Sequence, residues 1–178
     1  YKNNKKLIFV GKLNKSKRLD DLIDIMEKLI HIDNDIVLNI IGDGDERVEL
    51  IQNIKDKGLE KNVLLLGTCY LDEIIEELID SSVFITTSEV ETFNLAILQA
   101  MSVGLPVVCF ENESTKSLIT NEIDGILVEN RNLESFSDNI IDLINDLDKR
   151  NNIGECAIEK SINYDVNVIK REWIKLFK

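Results

Sequence analysis

Cysteine is scarce in this chain. Cys69, Cys109 and Cys156 form no close pair and leave an odd count, so neither a spaced zinc-ligand set nor a complete disulfide framework is indicated. Reduced thiols in a cytosolic protein are the plain reading. Long apolar stretches are also missing. The longest, at Val63 to Gly67 and Leu105 to Phe110, fall far short of the ~20 residues that a membrane span needs. No signal peptide is visible. Positive charge is in the minority, with 21 Lys and Arg against 33 Asp and Glu and a net charge of -12. Such a surface, taken as a whole, is a poor partner for nucleic acid or an anionic membrane. No internal repeat or linker interrupts the 178 residues, and the 44% hydrophobic content is enough for one sizeable core in a single domain.

What is present is an alternation of short apolar runs with amphipathic ones. Leu7 to Gly11 reads as a strand, and Leu19 to Ile32 as a helix with Leu22, Ile23, Met26, Leu29 and Ile30 on one face. Strand Ile36 to Gly42, helix Arg47 to Lys57 ending at Gly58, strand Val63 to Gly67, helix Asp72 to Asp80 and strand Val83 to Thr87 follow. Then come a helix at roughly Thr92 to Val103, strand Val107 to Phe110, a short helix at Lys116 to Asn121, strand Ile126 to Glu129 and helix Leu133 to Leu147. Stretches Arg150 to Ser161 and Asp165 to Phe177 read as helical, with Trp173 and Phe177 as packing anchors. Strands rich in Ile, Val and Leu that alternate with helices predict a parallel sheet of about six strands covered on both faces, a Rossmann-like α/β fold. Because the chain opens on Tyr1 and enters a strand almost at once, it is expected to be a piece of a longer protein.

Two segments break local rules. Residues 1 to 18 hold Lys2, Lys5, Lys6, Lys12, Lys15, Lys17 and Arg18 with no acid among them. Lys2, Lys5 and Lys6 fit a solvated, frayed terminus. The run Gly11-Lys12-Leu13-Asn14-Lys15-Ser16-Lys17-Arg18, however, leads from a strand end into a helix start, where the dipole prefers acids. An anion held between these cations and the helix N–H groups would resolve the conflict. The second segment is Ser88 to Phe110, which carries Glu91 before a helix, with Phe93, Ala96, Ile97, Ala100 and Met101 on its core face. Gln99 lies eight residues beyond Glu91, about 12 Å along the helix axis. A ligand with a polar group at each end and a phosphate between them would fit this surface. Ile41-Gly42-Asp43-Gly44-Asp45 lacks the third glycine of a dinucleotide fingerprint and reads as a turn. His31, among apolar helix neighbours, reads as structural.

The stretch Glu91-Thr92-Phe93-Asn94, Gln99-Ala100-Met101 and Gly104-Leu105-Pro106-Val107-Val108 resembles the signature of retaining glycosyltransferase family 4, the glycosyl transferases group 1. That signature has Glu, any residue, Phe and Gly, then a second Glu eight places after the first, followed by Ala-Met-x-x-Gly-x-Pro-Val-Val. Here Asn94 replaces the glycine and Gln99 the second glutamate. Gly11-Lys12-Leu13 with Lys17-Arg18 is similar to the family's Gly-Arg-Leu and Lys-Gly, with Lys12 for the arginine and Arg18 for the glycine. Asp124-Gly125-Ile126-Leu127-Val128 resembles its Gly-x-Leu-Val element, while the usual Glu before it is replaced by the Glu113 to Ser117 stretch.

The resemblance implies the C-terminal, donor-binding half of a GT-B fold across residues 1–178, with the N-terminal acceptor domain lying outside this chain. It implies catalytic roles for Lys12 and Lys17 on the donor diphosphate and for Glu91 at the donor sugar. Donor contacts are implied at Gly11, Lys12, Lys17, Gly42, Thr92, Phe93, Asn94, Leu95 and Gln99, with Gln99 facing the ribose hydroxyls. It further implies transfer of a hexose-type sugar from a nucleotide-diphosphate sugar with retention and without a metal or other cofactor. Bacterial polysaccharide, glycolipid or teichoic acid would be made at the inner face of the membrane, any membrane contact passing through the absent domain. The isolated domain is expected to be inactive. Two alternatives stand beside this reading: half of a nucleotide-sugar 2-epimerase, or a degenerate domain that binds without catalysing. A phosphate-accepting receiver domain lacks its acidic cluster and its lysine here.

Overall fold

The structure, a computed structural model, describes residues 5–90 and 93–177. Six strands, β1 (Lys6–Val10), β2 (Val37–Ile41), β3 (Val63–Gly67), β4 (Val83–Thr86), β5 (Val107–Phe110) and β6 (Ile126–Val128), form one sheet in the order β3-β2-β1-β4-β5-β6. Every pairing is parallel. The helices between them are α1 (Leu19–Ile32), α2 (Arg47–Asp56), α3 (Leu71–Ile79), α4 (Leu95–Ser102), α5 (Glu113–Leu118), α6 (Leu133–Asn145), α7 (Leu147–Ser161) and α8 (Val166–Leu176).

Alternation along the strands sorts the core into two layers. Leu7, Phe9, Ile85, Val108 and Phe110 face α1, α2 and α6, with Leu22, Met26, Leu29, Leu50, Phe136 and Ile140 packed against them. Ile8, Phe84, Val107 and Cys109 face the other way, onto Leu78, Ile97, Ala100, Met101 and Ala157. A strand buried on both faces needs a continuous apolar run rather than alternation, and β1, β4 and β5 have one. Cys109 lies within the second layer, where burial pushes its thiol up to about 12. All three cysteines are free.

Several boundaries differ from the sequence reading, each for a local reason. The helix after β4 starts at Leu95 rather than near Thr92, because Asn94 caps it by accepting from the Ile97 N–H at 3.3 Å. The helix after β5 starts at Glu113 rather than Lys116, because Asn112 and Thr115 form a reciprocal capping box. The helix expected to run to Leu147 is interrupted at Asp146, whose extended backbone and side-chain bond to the Lys149 N–H open α7. Lys5 and Lys6 are not a frayed end. Lys5 pairs with Asp33 and Asp35, and Lys6 with Glu77 and Asp80. His31 is exposed, one ring nitrogen lying 2.6 Å from the Glu27 carbonyl oxygen. Trp173 and Phe177 stack on each other at 5.9 Å and remain exposed, instead of anchoring α8 in the core. Among the described residues, no helix is long and apolar enough to cross a membrane.

One close approach and one ion pair hold the sheet's ends. At the carboxyl end of β2, Gly42 adopts φ +141°, and a Cβ there would sit 1.9 Å from the Gly11 carbonyl oxygen. Gly42→Ala is therefore expected to cost about 2–4 kcal/mol, read as a lower urea midpoint. Gly58→Ala, at φ +66° with nothing within 4 Å of the added methyl, should cost only about 1–2 kcal/mol. Equal losses would refute the close-approach explanation. At the amino end, desolvation tends to raise Glu77, but bonds from Lys6 and from Asn39 at 2.8 Å outweigh it and hold the carboxyl below its ordinary value. Its folded value lies below its unfolded one. The stability it contributes is thus present above about pH 4.5 and is lost as pH falls through the folded value. Glu77→Gln should make the acid limb of the stability curve below that pH less steep, a change visible in chemical denaturation at stepped pH.

Candidate functional site

The sheet changes winding direction between β1 and β4, which lie side by side with Leu7 opposite Val83 and Ile8 opposite Phe84. Loops leaving such neighbours diverge, and the crevice between them is where ligands bind in open α/β sheets. The cationic loop follows β1 and the Ser88 to Val90 segment follows β4, so the two rule-breaking segments meet at one rim. They are joined directly. The Glu89 N–H donates to the Ser16 carbonyl at 2.9 Å. The Thr87 hydroxyl, fully buried, lies 2.7 Å from the Lys17 carbonyl oxygen and 3.1 Å from that of Arg18.

Within the cationic loop, Lys15–Lys17 form a 3-10 turn. Lys12 is exposed at the rim. Lys17 is half-buried, and its Cε lies 3.4 Å from the place a Cβ on Gly11 would occupy. The Lys17 chain thus runs beside Gly11 at the end of β1. Asp43 accepts the Leu13 N–H through its carbonyl, and Leu13 accepts the Glu46 N–H, so the Gly42-Asp43-Gly44 turn braces this loop from the β2 side.

Arg18 adopts φ +49°, a left-handed conformation that glycine would take more cheaply. Its side chain makes use of the position. The guanidinium lies 5.4 Å from the Phe110 ring centroid, donates to Asn130 at 2.6 Å and pairs with Asp21. Even so, desolvation outweighs Arg18 and holds the Asp21 carboxyl above its ordinary value. Arg18 therefore ties the loop to the far ends of β5 and β6 and is not directed at the crevice as an anion ligand.

On the β4 side, Glu91 and Thr92 lie outside the described residues. Phe93 is half exposed, its ring 6.3 Å from that of Tyr164, so it is not part of the core face of α4. Asn94 is buried and its side chain is spent on the Ile97 N–H. The helix end thus has one amide fewer to offer an anion than the sequence implied. Leu95 is exposed at the first turn and Gln99 half-buried one turn further on. Asn112 donates to the Ser88 carbonyl at 3.2 Å while capping α5, so α5 steadies the β4 loop from its other side.

Beside Lys12 lies a cavity of about 270 Å³ lined by Val10, Gly11, Lys12, Ile41, Gly42, Asp43, Thr68, Cys69 and Ile74. Its apolar walls and few polar groups suit a flat heterocycle. Burial, with Glu73 and Glu77 adding to it, pushes the Cys69 thiol up, so it is protonated at neutral pH. A larger cleft of about 730 Å³ between α1 and α6 is lined by Asp24, Glu27, Glu134 and Asp138 together with Lys28 and Lys57, and Lys57 is paired with Asp24 and Glu27. Among the described residues, no three His, Cys, Asp or Glu are grouped so as to hold a metal ion. Sequence reasoning missed Thr87 and Asn112. A buried threonine just past a strand end and an Asn three residues before a Thr were the available signals.

A family model described as glycosyl transferases group 1 matches residues 1–160. A poly(ribitol-phosphate) alpha-N-acetylglucosaminyltransferase of Staphylococcus aureus is 31% identical over 170 residues, which cover 94% of this chain and 34% of that relative. The chain therefore spans about a third of that relative's length. Among solved structures, Staphylococcus aureus TarM in complex with fondaparinux, alpha-GlcNAc-glycerol and UDP superposes with a TM-score of 0.93 at 29% identity, over 100% of this chain and 36% of that one. The Anabaena protein HepE in complex with UDP and glucose superposes with a TM-score of 0.89 at 25% identity, over 98% of this chain and 48% of that one.

Asn112→Ala should cost about 1–2 kcal/mol through the lost α5 cap, seen as a lower denaturant midpoint at unchanged m value. Asn112→Asp keeps the cap acceptor and gives up only the donation to Ser88, so it should recover most of the loss. An aspartate variant as unstable as the alanine one would assign the stability to the Ser88 bond instead.

Proposed function

We infer function from membership: this chain belongs to the glycosyl transferases group 1 family. It has the Rossmann-like parallel sheet of the GT-B glycosyltransferases, which use nucleotide sugars. We propose that it is the donor-binding, C-terminal half of a retaining enzyme that transfers a hexose-type sugar from a UDP-sugar. The observation that carries this is the meeting of the Lys12 and Lys17 loop with the β4 loop at the sheet's switch point. Lys12 and Lys17 hold the diphosphate and take up the charge that develops on it as the bond to the sugar breaks, a role that needs no metal or other cofactor. Glu91 contacts the donor sugar, Gln99 the ribose hydroxyls, and Thr92, Phe93, Asn94 and Leu95 line the approach. The base occupies the cavity at Thr68 and Cys69. UDP is favoured because the TarM and HepE structures contain it.

The acceptor site belongs to an N-terminal domain outside these residues, so the domain alone binds donor and transfers nothing. The Staphylococcus aureus relative supports a place in teichoic acid or other bacterial surface-polymer synthesis, and the proposal puts the full-length protein in the cytoplasm, peripheral to the inner face of the membrane.

Calorimetric titration of the chain with UDP, GDP and ADP should give binding by UDP. Removal of a charge-assisted contact is worth about 1.5–3 kcal/mol, so Lys17→Ala should weaken UDP roughly 10–100-fold. Glu91→Ala should weaken UDP-sugar more than UDP. Gln99→Glu should tighten UDP about fivefold by restoring a charged acceptor, and added EDTA should change none of these. If none of the three nucleotides binds, or if Lys17→Ala and Glu91→Ala both bind as the native chain does, the assignment fails.

A further inference from the structure

The loop that carries Lys12 and Lys17 fixes its internal shape with local bonds, from the Lys17 N–H to the Asn14 carbonyl and from the Arg18 N–H to the Lys15 carbonyl. Such bonds say nothing about where the loop sits on the sheet. That placement comes from the turn after β2, which holds Leu13, and, at the Lys17 end of the loop, from the segment after β4. The Glu89 N–H reaches Ser16, and the Thr87 hydroxyl reaches the carbonyls of Lys17 and Arg18 together. The two bonds hold the peptides on either side of Lys17: Glu89 takes the carbonyl of the one before it, and Thr87 the carbonyl of the one after it.

We propose that Thr87 is a positioning residue for the diphosphate loop: its buried hydroxyl clamps the Lys17 and Arg18 carbonyls and so aims the Lys17 ammonium into the crevice. This rests on the functional reading above. Thr87 has no solvent exposure, so without the hydroxyl no water replaces its bond to the Lys17 carbonyl. The Lys17–Arg18 peptide then keeps its bond from the Arg18 N–H to the Lys15 carbonyl but loses its own tie to the β4 side. The Lys17 side chain runs beside Gly11, its Cε 3.4 Å from the place a Cβ there would occupy, so a turn of the peptide at its root displaces the ammonium. The same hydroxyl links the two loops that would face opposite ends of one donor, the cationic loop and the segment leading to Glu91.

The test compares Thr87→Val, which keeps the shape and loses the hydroxyl, with Thr87→Ser, which keeps the hydroxyl, using UDP by calorimetry and uridine by NMR titration. UDP should weaken five- to tenfold in the valine variant and less than twofold in the serine variant. Uridine, which has no phosphate to meet Lys17, should bind all three alike. In a Lys17→Ala background, Thr87→Val should cost no further UDP affinity. Native UDP affinity in the valine variant, equal losses of UDP and uridine, or full additivity with Lys17→Ala each overturn the clamp while leaving the donor-binding assignment intact. A native chain that binds neither UDP nor uridine overturns both. Should Thr87→Val fail to fold, Thr87→Cys, with a similar shape and a weak donor, is held to the same criteria.

Discussion

The placement of β1 between β2 and β4 is the constraint on which the rest of the molecule depends. From β1 the chain winds outward through β2 and β3, then returns to add β4, β5 and β6 on the other side. Helices must therefore cover opposite faces in the two halves, and the loops after β1 and β4 leave the sheet in different directions. Nothing in that topology by itself brings the loops back together. Polar contacts at the strand ends do so, from Thr87 and Glu89 on one side and from the glycine turn after β2 on the other. The crevice is thus bounded by backbone braced from three strands, which is why its shape does not wait for a ligand.

The elements that were legible in the sequence are those set by periodicity and glycine. Helix α1 and strand β3 fall at the expected residues, because an unbroken apolar stripe and a strand closed by left-handed Gly67 leave no competing boundary. Legibility failed where a polar side chain chose the boundary. Asn94, Asn112 and Asp146 each accept a backbone N–H and start a helix, a choice that apolar periodicity does not mark. Phe93 illustrates the cost. Counted as the first member of a helical stripe it belongs to the core, yet one residue before the cap it lies outside the helix and beside Tyr164. The cationic loop was readable because it offends the helix dipole. Its contact with Thr87 was not, since a hydroxyl reaching carbonyls 69 and 70 residues away leaves no periodic trace.

The departures from the family pattern have structural answers of different kinds. Arg18 accepts a left-handed backbone worth about 1–2 kcal/mol of strain and offsets it with three contacts of its side chain, none available to glycine. Asn94 turns its side chain inward as a cap, so its added bulk is taken up by the helix rather than projected over the crevice. Gln99 has no such compensation. It is half-buried on α4, and among the described residues it is its backbone carbonyl that is engaged, accepting from the Ser102 hydroxyl. In the proposed reading, any loss of donor affinity therefore concentrates at the ribose end and not at the diphosphate.

In the proposed reading, electrostatics accounts for half a site that binds without reacting. Opposite unit charges 4 Å apart attract by about 1 kcal/mol in bulk water and by about 4 kcal/mol at the effective dielectric of a protein surface. Lys12 is exposed at the rim of this chain, so its attraction for a diphosphate is close to the first figure. In the proposed reading, covering the crevice with a second domain moves both lysines toward the second, and that gain grows as charge collects on the leaving diphosphate. A stronger field is useful only if the ammonium groups already point at the charge when the crevice closes, because rearranging them during the reaction would consume the gain. That requirement falls on the backbone of the β1 loop. In the proposed reading it is met before any ligand arrives, by hydrogen bonds from the segment that follows β4.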